Sequence, residues 1–226
     1  KLSVNTKGGF SIGLWTGSGS DGTVATGLTD TKIVILKNRT DANANWVVYH
    51  KVLDDTYDFM YFNNSNQNAS SAFHPFDLDT TFKVGSNTDT NASGKNYVFY
   101  AWKEIPGYSK IGTYKGFGNE NGACVYCGFR PKFVLVKALD SSDHWNIPVD
   151  TYNYNGVDKT LSTNIANAER DMSGSGLYGD AMDYLSDGFK IKNLDGNYNR
   201  SGATYFFMAF ADVPNLPHFN QYPTGR

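Results

Sequence analysis

"NASGKNYVFYAWKEIP", from Asn91 to Pro106, returns as "NRSGATYFFMAFADVP", from Asn199 to Pro214. Seven of the sixteen positions are identical at an offset of 108, and Trp102/Phe210, Glu104/Asp212 and Ile105/Val213 are close exchanges. Each copy opens on a turn signal, runs through aromatic and aliphatic residues, and stops at Pro, which is how a β-strand reads. Working outward, "IGLWTGSG" (Ile12–Gly19) matches "IGTYKGFG" (Ile111–Gly118), and "TKIVILK" (Thr31–Lys37) matches "PKFVLVK" (Pro131–Lys137). Trp46 matches Trp145, and "FKV" at Phe82 matches "FKI" at Phe189. The order is kept throughout, so the chain reads as a tandem pair, with the insertions falling in the loops after Trp46 and Trp145.

The strand grammar predicts an all-β fold of two tandem β-sandwich modules related by internal duplication. Residues 1–7 are expected as linker, 8–106 as repeat one, 107–214 as repeat two and 215–226 as a polar tail. Strands are expected near residues 10–15, 23–28, 32–38, 45–52, 57–62, 80–85 and 96–105. In the second copy they are expected near 110–116, 123–129, 132–139, 144–150, 189–194 and 204–213. Residues 162–172 read as a short helix, and 173–180 as a Gly/Ser-rich loop. "KIVILK" with "KFVLVK", and "YVFYAW" with "YFFMAF", are apolar on both faces, whereas a simple sandwich strand leaves one face wet. A sister copy or a neighbouring subunit is therefore expected to cover the second face.

Composition narrows the function classes. Lys and Arg total 20 against 22 for Asp and Glu, so neither nucleic acid nor an anionic membrane is indicated as partner. Aromatics reach 15 % and charged residues only 19 %, with turn-formers filling the rest, as on an all-β extracellular or virion surface. No apolar run approaches the roughly 18 residues of a membrane span. The sequence starts at Lys1 without Met and reads as an excerpt of a longer or processed polypeptide. Cys124 and Cys127 form a lone C-x-x-C in strand context, where residues three apart point to opposite faces about 10 Å from each other, beyond disulfide reach.

The stretches "GGFSI", "IVILKNR", "NWVVYHK", "GYSKIGTYKGFG", "GFRPKFVLVK" and "NRSGATYFFMAFADVP" together resemble a module of unknown function found in tail and structural proteins of tailed bacteriophages from aquatic and marine bacteria. The resemblance covers about residues 8–214. It implies a place on the virion surface and brings no catalytic residues with it. "ATGL" (Ala25–Leu28) stands where such modules often carry a Gly-rich "GHGL".

Candidate chemistry is sparse. The acidic groups Asp54/Asp55/Asp58, Asp77/Asp79 and Asp180/Asp183/Asp187 read as solvated turns. Nothing in the sequence brings two of them to the roughly 5–9.5 Å at which paired carboxylates cleave a glycosidic bond. His50, His74, His144 and His218 lack ligand spacing, and His50 reads as a hydrogen-bonded strand residue. The alternations Asn87/Asp89/Asn91/Ser93 and Asp195/Asn197/Asn199/Ser201 offer oxygens of the kind calcium takes, but they lack a terminal bidentate Glu and also build turns unaided. No metal or other cofactor is expected. Sequons at Asn38, Asn63, Asn68, Asn91 and Asn199 follow from an Asn- and Ser-rich surface. Tyr57, Tyr61, Asn63, Tyr152 and Tyr154, in the loops after the two tryptophans, combine rings with amides in the way sugar recognition requires. They are the expected ligand-binding residues.

Together these readings anticipate a non-enzymatic virion component, a spacer or host-surface adhesin of a tail fibre or appendage. A capsid decoration or head-fibre protein and a glycan depolymerase are the alternatives. Expected partners are further copies of the chain, with a trimer by analogy with fibres, other virion proteins, and a host-surface glycan.

Overall fold

The computed structural model describes residues 1–52, 58–66, 69–70, 77–149, 159–172 and 180–211. The chain is all-β and its sheets are antiparallel. The N-terminal half holds β1 (Leu2–Asn5), β2 (Phe10–Thr16), β3 (Gly22–Ala25), β4 (Ile33–Asn38), β5 (Trp46–His50), β6 (Asp58–Tyr61), β7 (Ala69–Ser70), β8 (Thr81–Val84) and β9 (Asn96–Trp102). The C-terminal half holds β10 (Ser109–Lys115), β11 (Cys124–Tyr126), β12 (Pro131–Ala138), β13 (Asn146–Val149), β14 (Lys159–Ser162), β15 (Arg170–Asp171), β16 (Met182–Leu185), β17 (Gly188–Ile191), the one-turn helix α1 (Gly196–Asn199) and β18 (Thr204–Ala211).

Apart from β1 and β16, the halves have the same strand order. One large sheet runs β1-β2-β9-β4-β5-β6-β7 and the other β10-β18-β12-β13-β14-β15. A small sheet lies beside each, β3-β8 in the first half and β11-β17-β16 in the second. The side chains agree with the topology. Trp15 stacks on Tyr97 at 4.9 Å and Tyr114 on Tyr205 at 5.0 Å. Phe82 meets Phe99 edge-on at 5.2 Å, and Phe189 meets Phe207 edge-on at 5.3 Å. Each aromatic cluster ties a large sheet to its small one, and each such ring pair adds about 0.5–1.5 kcal/mol beyond its area.

Alternation along β12 and β18 shows why these strands are apolar throughout. Val134, Val136, Tyr205, Phe207 and Ala209 belong to the core shared with the small sheet. Leu135, Phe206 and Met208 point the other way, into a core shared with Ile33, Val48 and Met60 of the first half. His50 stacks on Phe206 at 4.5 Å, Trp145 meets Phe62 edge-on at 5.1 Å, and Trp145 Nε1 donates to Tyr61 O at 2.9 Å. The sister half is therefore the cover for the second apolar face.

Four expectations are corrected. Residues 2–5, read as linker, pair with β2 as the edge strand β1. Residues 162–172 contain no helix: Ser162 ends β14, a turn follows, and Arg170–Asp171 pairs back onto β14. The Asn/Ala/Glu run suggested a helix, but it has no apolar stripe to bury one. Asp58 and Asp183 lie in strands rather than turns, and Asp58 is buried. His50 is on a strand, but its ring nitrogens have no hydrogen-bond partner among the described residues.

A candidate recognition cleft beside the matched tryptophans

At one end of each large sheet, the loops around Trp46 and Trp145 meet the loop that leads into β9 or β18. In the first half, Asn63 Oδ1 accepts the Trp46 N–H at 2.9 Å, and Asn63 Nδ2 donates to Asn45 Oδ1 at 3.0 Å. Asn45 N–H and Nδ2 both reach the Asp89 carboxylate, at 2.8 and 3.2 Å. The half-buried Tyr61 phenol joins this group through Asp89 and Asn45, and burial first, with the Asp89 charge second, pushes its pKa up to about 12. Tyr61 and Asn63 are thus brought together, but as members of the scaffold. Tyr57, Tyr152 and Tyr154 lie outside the described residues.

The second half builds the same junction from other side chains. Asn164 Oδ1 accepts the Trp145 N–H at 3.1 Å and Asn197 Oδ1 accepts the His144 N–H at 3.2 Å. Ser162, opposite Asn146 in the ladder, stands where Tyr61 stands opposite Val47. A cleft of about 320 Å³ opens beside Ser162, lined by His144, Thr160, Asn167, Glu169 and Arg170 together with Ile165 and Ala168. Ser162 Oγ donates to Asn146 Oδ1 at 2.8 Å, and the Arg170 guanidinium is fixed by Asp195 at 2.8 Å. Asn167 and Glu169 are exposed on the rim, with no hydrogen-bond partner among the described residues. Hydroxyls, an amide, a carboxylate and a guanidinium converge here on a concave surface at the small end of ligand-site volumes. The sequence did not point to these residues. The correspondence of Tyr61 with Ser162 between the halves marks the place, and it depends on knowing the register of β14.

The oxygen-rich loops considered for calcium are tied into backbone. Asn91 Oδ1 accepts from Trp15 Nε1 and the Ser18 N–H, while its Nδ2 donates to Ser18 Oγ and Ser20 O. Asn199 Oδ1 accepts the Phe117 N–H, and its Nδ2 donates to Asn119 O and Asn193 O. Asp195 caps α1 by accepting the Asn197 N–H at 2.8 Å. Among the described residues, no three His, Cys, Asp or Glu side chains converge as a metal site would need. Asp180 and Asp183 both face Lys192, at 3.8 and 3.3 Å. Cys124 is exposed and Cys127 buried, neither is in a disulfide, and burial pushes the Cys127 thiol up to about 12.

Lys37 and Lys137 hold equivalent places at the ends of β4 and β12. Lys137 is fully buried, and its Nζ donates to Ala138 O at 2.6 Å and Ser141 O at 3.0 Å. Lys37 Nζ reaches the carbonyls of Asp41, Ala42 and Ala44. Burial lowers the Lys137 pKa to about 8, with Asp143 and Asp140 opposing the shift. Both lysines close a loop from within by satisfying carbonyls that would otherwise be orphaned.

No curated protein and no solved structure matches the chain. A family model described as "Domain of unknown function (DUF7483)" matches residues 1–214, nearly the whole chain, and the protein belongs to that family.

Proposed function

We propose that this chain is a non-enzymatic component of a bacteriophage particle, part of a tail fibre or related appendage, that meets host-surface glycan through the cleft at Ser162. The observation that carries the reading is the cleft itself. Ser162 lines this polar cleft at the register position that Tyr61 holds in the first half. We infer from the shared strand order and matching aromatic clusters that the halves descend from one module, so the difference between them marks where recognition has been added. Loops on a rigid scaffold are the usual place for it. The sequence resemblance to tailed-phage modules supports the virion location and assembly with further copies, as a trimer by analogy with fibres.

A screen of host capsular and lipopolysaccharide glycans tests the reading. Saturable binding without release of oligosaccharide is expected. Ser162→Tyr, which puts the first half's residue at this position, should weaken it about tenfold or more, the equivalent of losing one or two hydrogen bonds. Binding indifferent to Ser162→Tyr would move the site elsewhere. Release of oligosaccharide would favour a depolymerase.

A further inference from the structure

β2 and β10 hold the same place in their sheets but differ on their outer sides. β1 closes the edge of β2, with pairs from Leu2 opposite Gly13 to Asn5 opposite Phe10, and Leu14 N–H donates to Lys1 O at 2.8 Å. Leu2 and Val4 lie over Gly27, where an added Cβ would stand 2.6 Å from Val4 Cγ2 and 2.9 Å from Leu2 Cδ2. β10 has no strand on its outer side among the described residues. The cause is topological. Residues before β2 are free to double back, whereas those before β10 are β9 and a short turn, already committed to the other sheet.

That turn blunts only the start of the edge. Glu104 Oε1 accepts the Ile111 N–H at 2.9 Å, and Ile105 O accepts the Ser109 N–H at 2.9 Å. Thr113 and Lys115 follow at alternate positions, in the register of Ile111, whose N–H turns away from β18. Beside them runs a groove of about 480 Å³ whose lining includes Gly112, Phe117, Cys124 and Tyr126. Phe117 and Tyr126 are 53 % and 72 % exposed, more than any other large apolar side chain among the described residues. Gly128, with φ of 80°, follows β11 as Gly27, with φ of 74°, follows β3. Its nearest neighbour is the Tyr126 side chain rather than an overlying strand.

We propose that this edge receives an extended strand from another polypeptide, added antiparallel to β10 from Thr113 onward, with apolar residues at alternate positions settling on Tyr126 and Phe117. The occupant is read from the molecule itself, since β1 fills the corresponding groove of the first half with Leu2 and Val4. Two β10 edges would pair poorly with each other. Lys110 and Lys115 stand on that edge, and lysines on an edge oppose such association. Strand addition gives backbone hydrogen bonds for affinity and alternate side chains for selectivity. The proposal is independent of the glycan cleft, which lies on other elements.

The test uses the full chain, isotopically labelled for NMR, and a synthetic peptide of its own residues 1–7, Lys-Leu-Ser-Val-Asn-Thr-Lys, at millimolar concentration. Saturable shifts and slowed amide exchange are expected at Thr113 and Lys115, with shifts of the Tyr126 ring. Thr113→Pro removes only an outward N–H, which an edge strand tolerates, and should weaken binding about tenfold. Tyr126→Ala, at an exposed position, should weaken it in the same direction. Three results would overturn the proposal: no response at Lys115, wild-type affinity in both variants, or shifts of Phe117 and Tyr126 with a polysaccharide but not with the peptide.

Discussion

His50 shows how much one residue can disclose that its sequence context does not. Its imidazole is buried between the two halves against Phe206, and burial holds its pKa down to about 3. The unfolded chain binds this proton near the ordinary value of about 6.5 and the folded chain resists it until far lower pH. Stability is therefore fully present above about 6.5 and is lost as pH falls towards 3, by roughly 1.4 kcal/mol per pH unit inside that window. Urea unfolding at pH 7, 5.5 and 4.5 should show His50→Leu losing less stability than the wild type on acidification. Equal losses would mean that His50 is protonated without cost. "WVVYHK" placed His50 on a strand correctly. Alternation, however, reports which face a side chain occupies and nothing about partners on the opposing sheet. Lys137 escaped notice for a similar reason, because a lysine closing an apolar run normally reads as its solvated end.

Among the elements, the loops entering β9 and β18 carry the most closely matched chemistry. Tyr97 Oη donates to Thr88 O at 2.9 Å and accepts the Ala92 N–H at 2.8 Å, and Tyr205 Oη donates to Gly196 O at 2.6 Å and accepts the Arg200 N–H at 2.8 Å. Tyr97→Phe and Tyr205→Phe should each cost about 1–3 kcal/mol, since each leaves backbone groups unpaired. The double variant should be near the sum, because the sites are separate. Equilibrium unfolding of the three variants measures both, and a large loss in one half with none in the other would break the equivalence. The tyrosines were legible as a repeat at an offset of 108. The weaker strands were not. "LSVN", "KTLS" and "RD" carry little apolar signal because they lie at or near sheet edges, where pairing rather than burial holds them. Without β14 in register, Ser162 could not be set against Tyr61, so the cleft stayed hidden while the aromatic loop residues drew attention.

At the scale of the whole molecule, the two halves bury apolar faces on each other, and the proposed recognition falls to loops and open edges. The sequence anticipated such a cover from runs such as "KIVILK" and "YFFMAF", because a strand apolar on both faces must meet a second layer. It did not distinguish a sister half from a second subunit, since both bury the same side chains. A scaffold packed in this way suits a part that must be rigid and present one differentiated end. The proposal that it serves on a phage appendage is tested most directly by electron microscopy of intact particles labelled with antibody against this chain. Label is expected on tail fibres or a related appendage of the particle. Label confined to the capsid would place the chain on the head instead, and particles that carry no label at all would contradict the account.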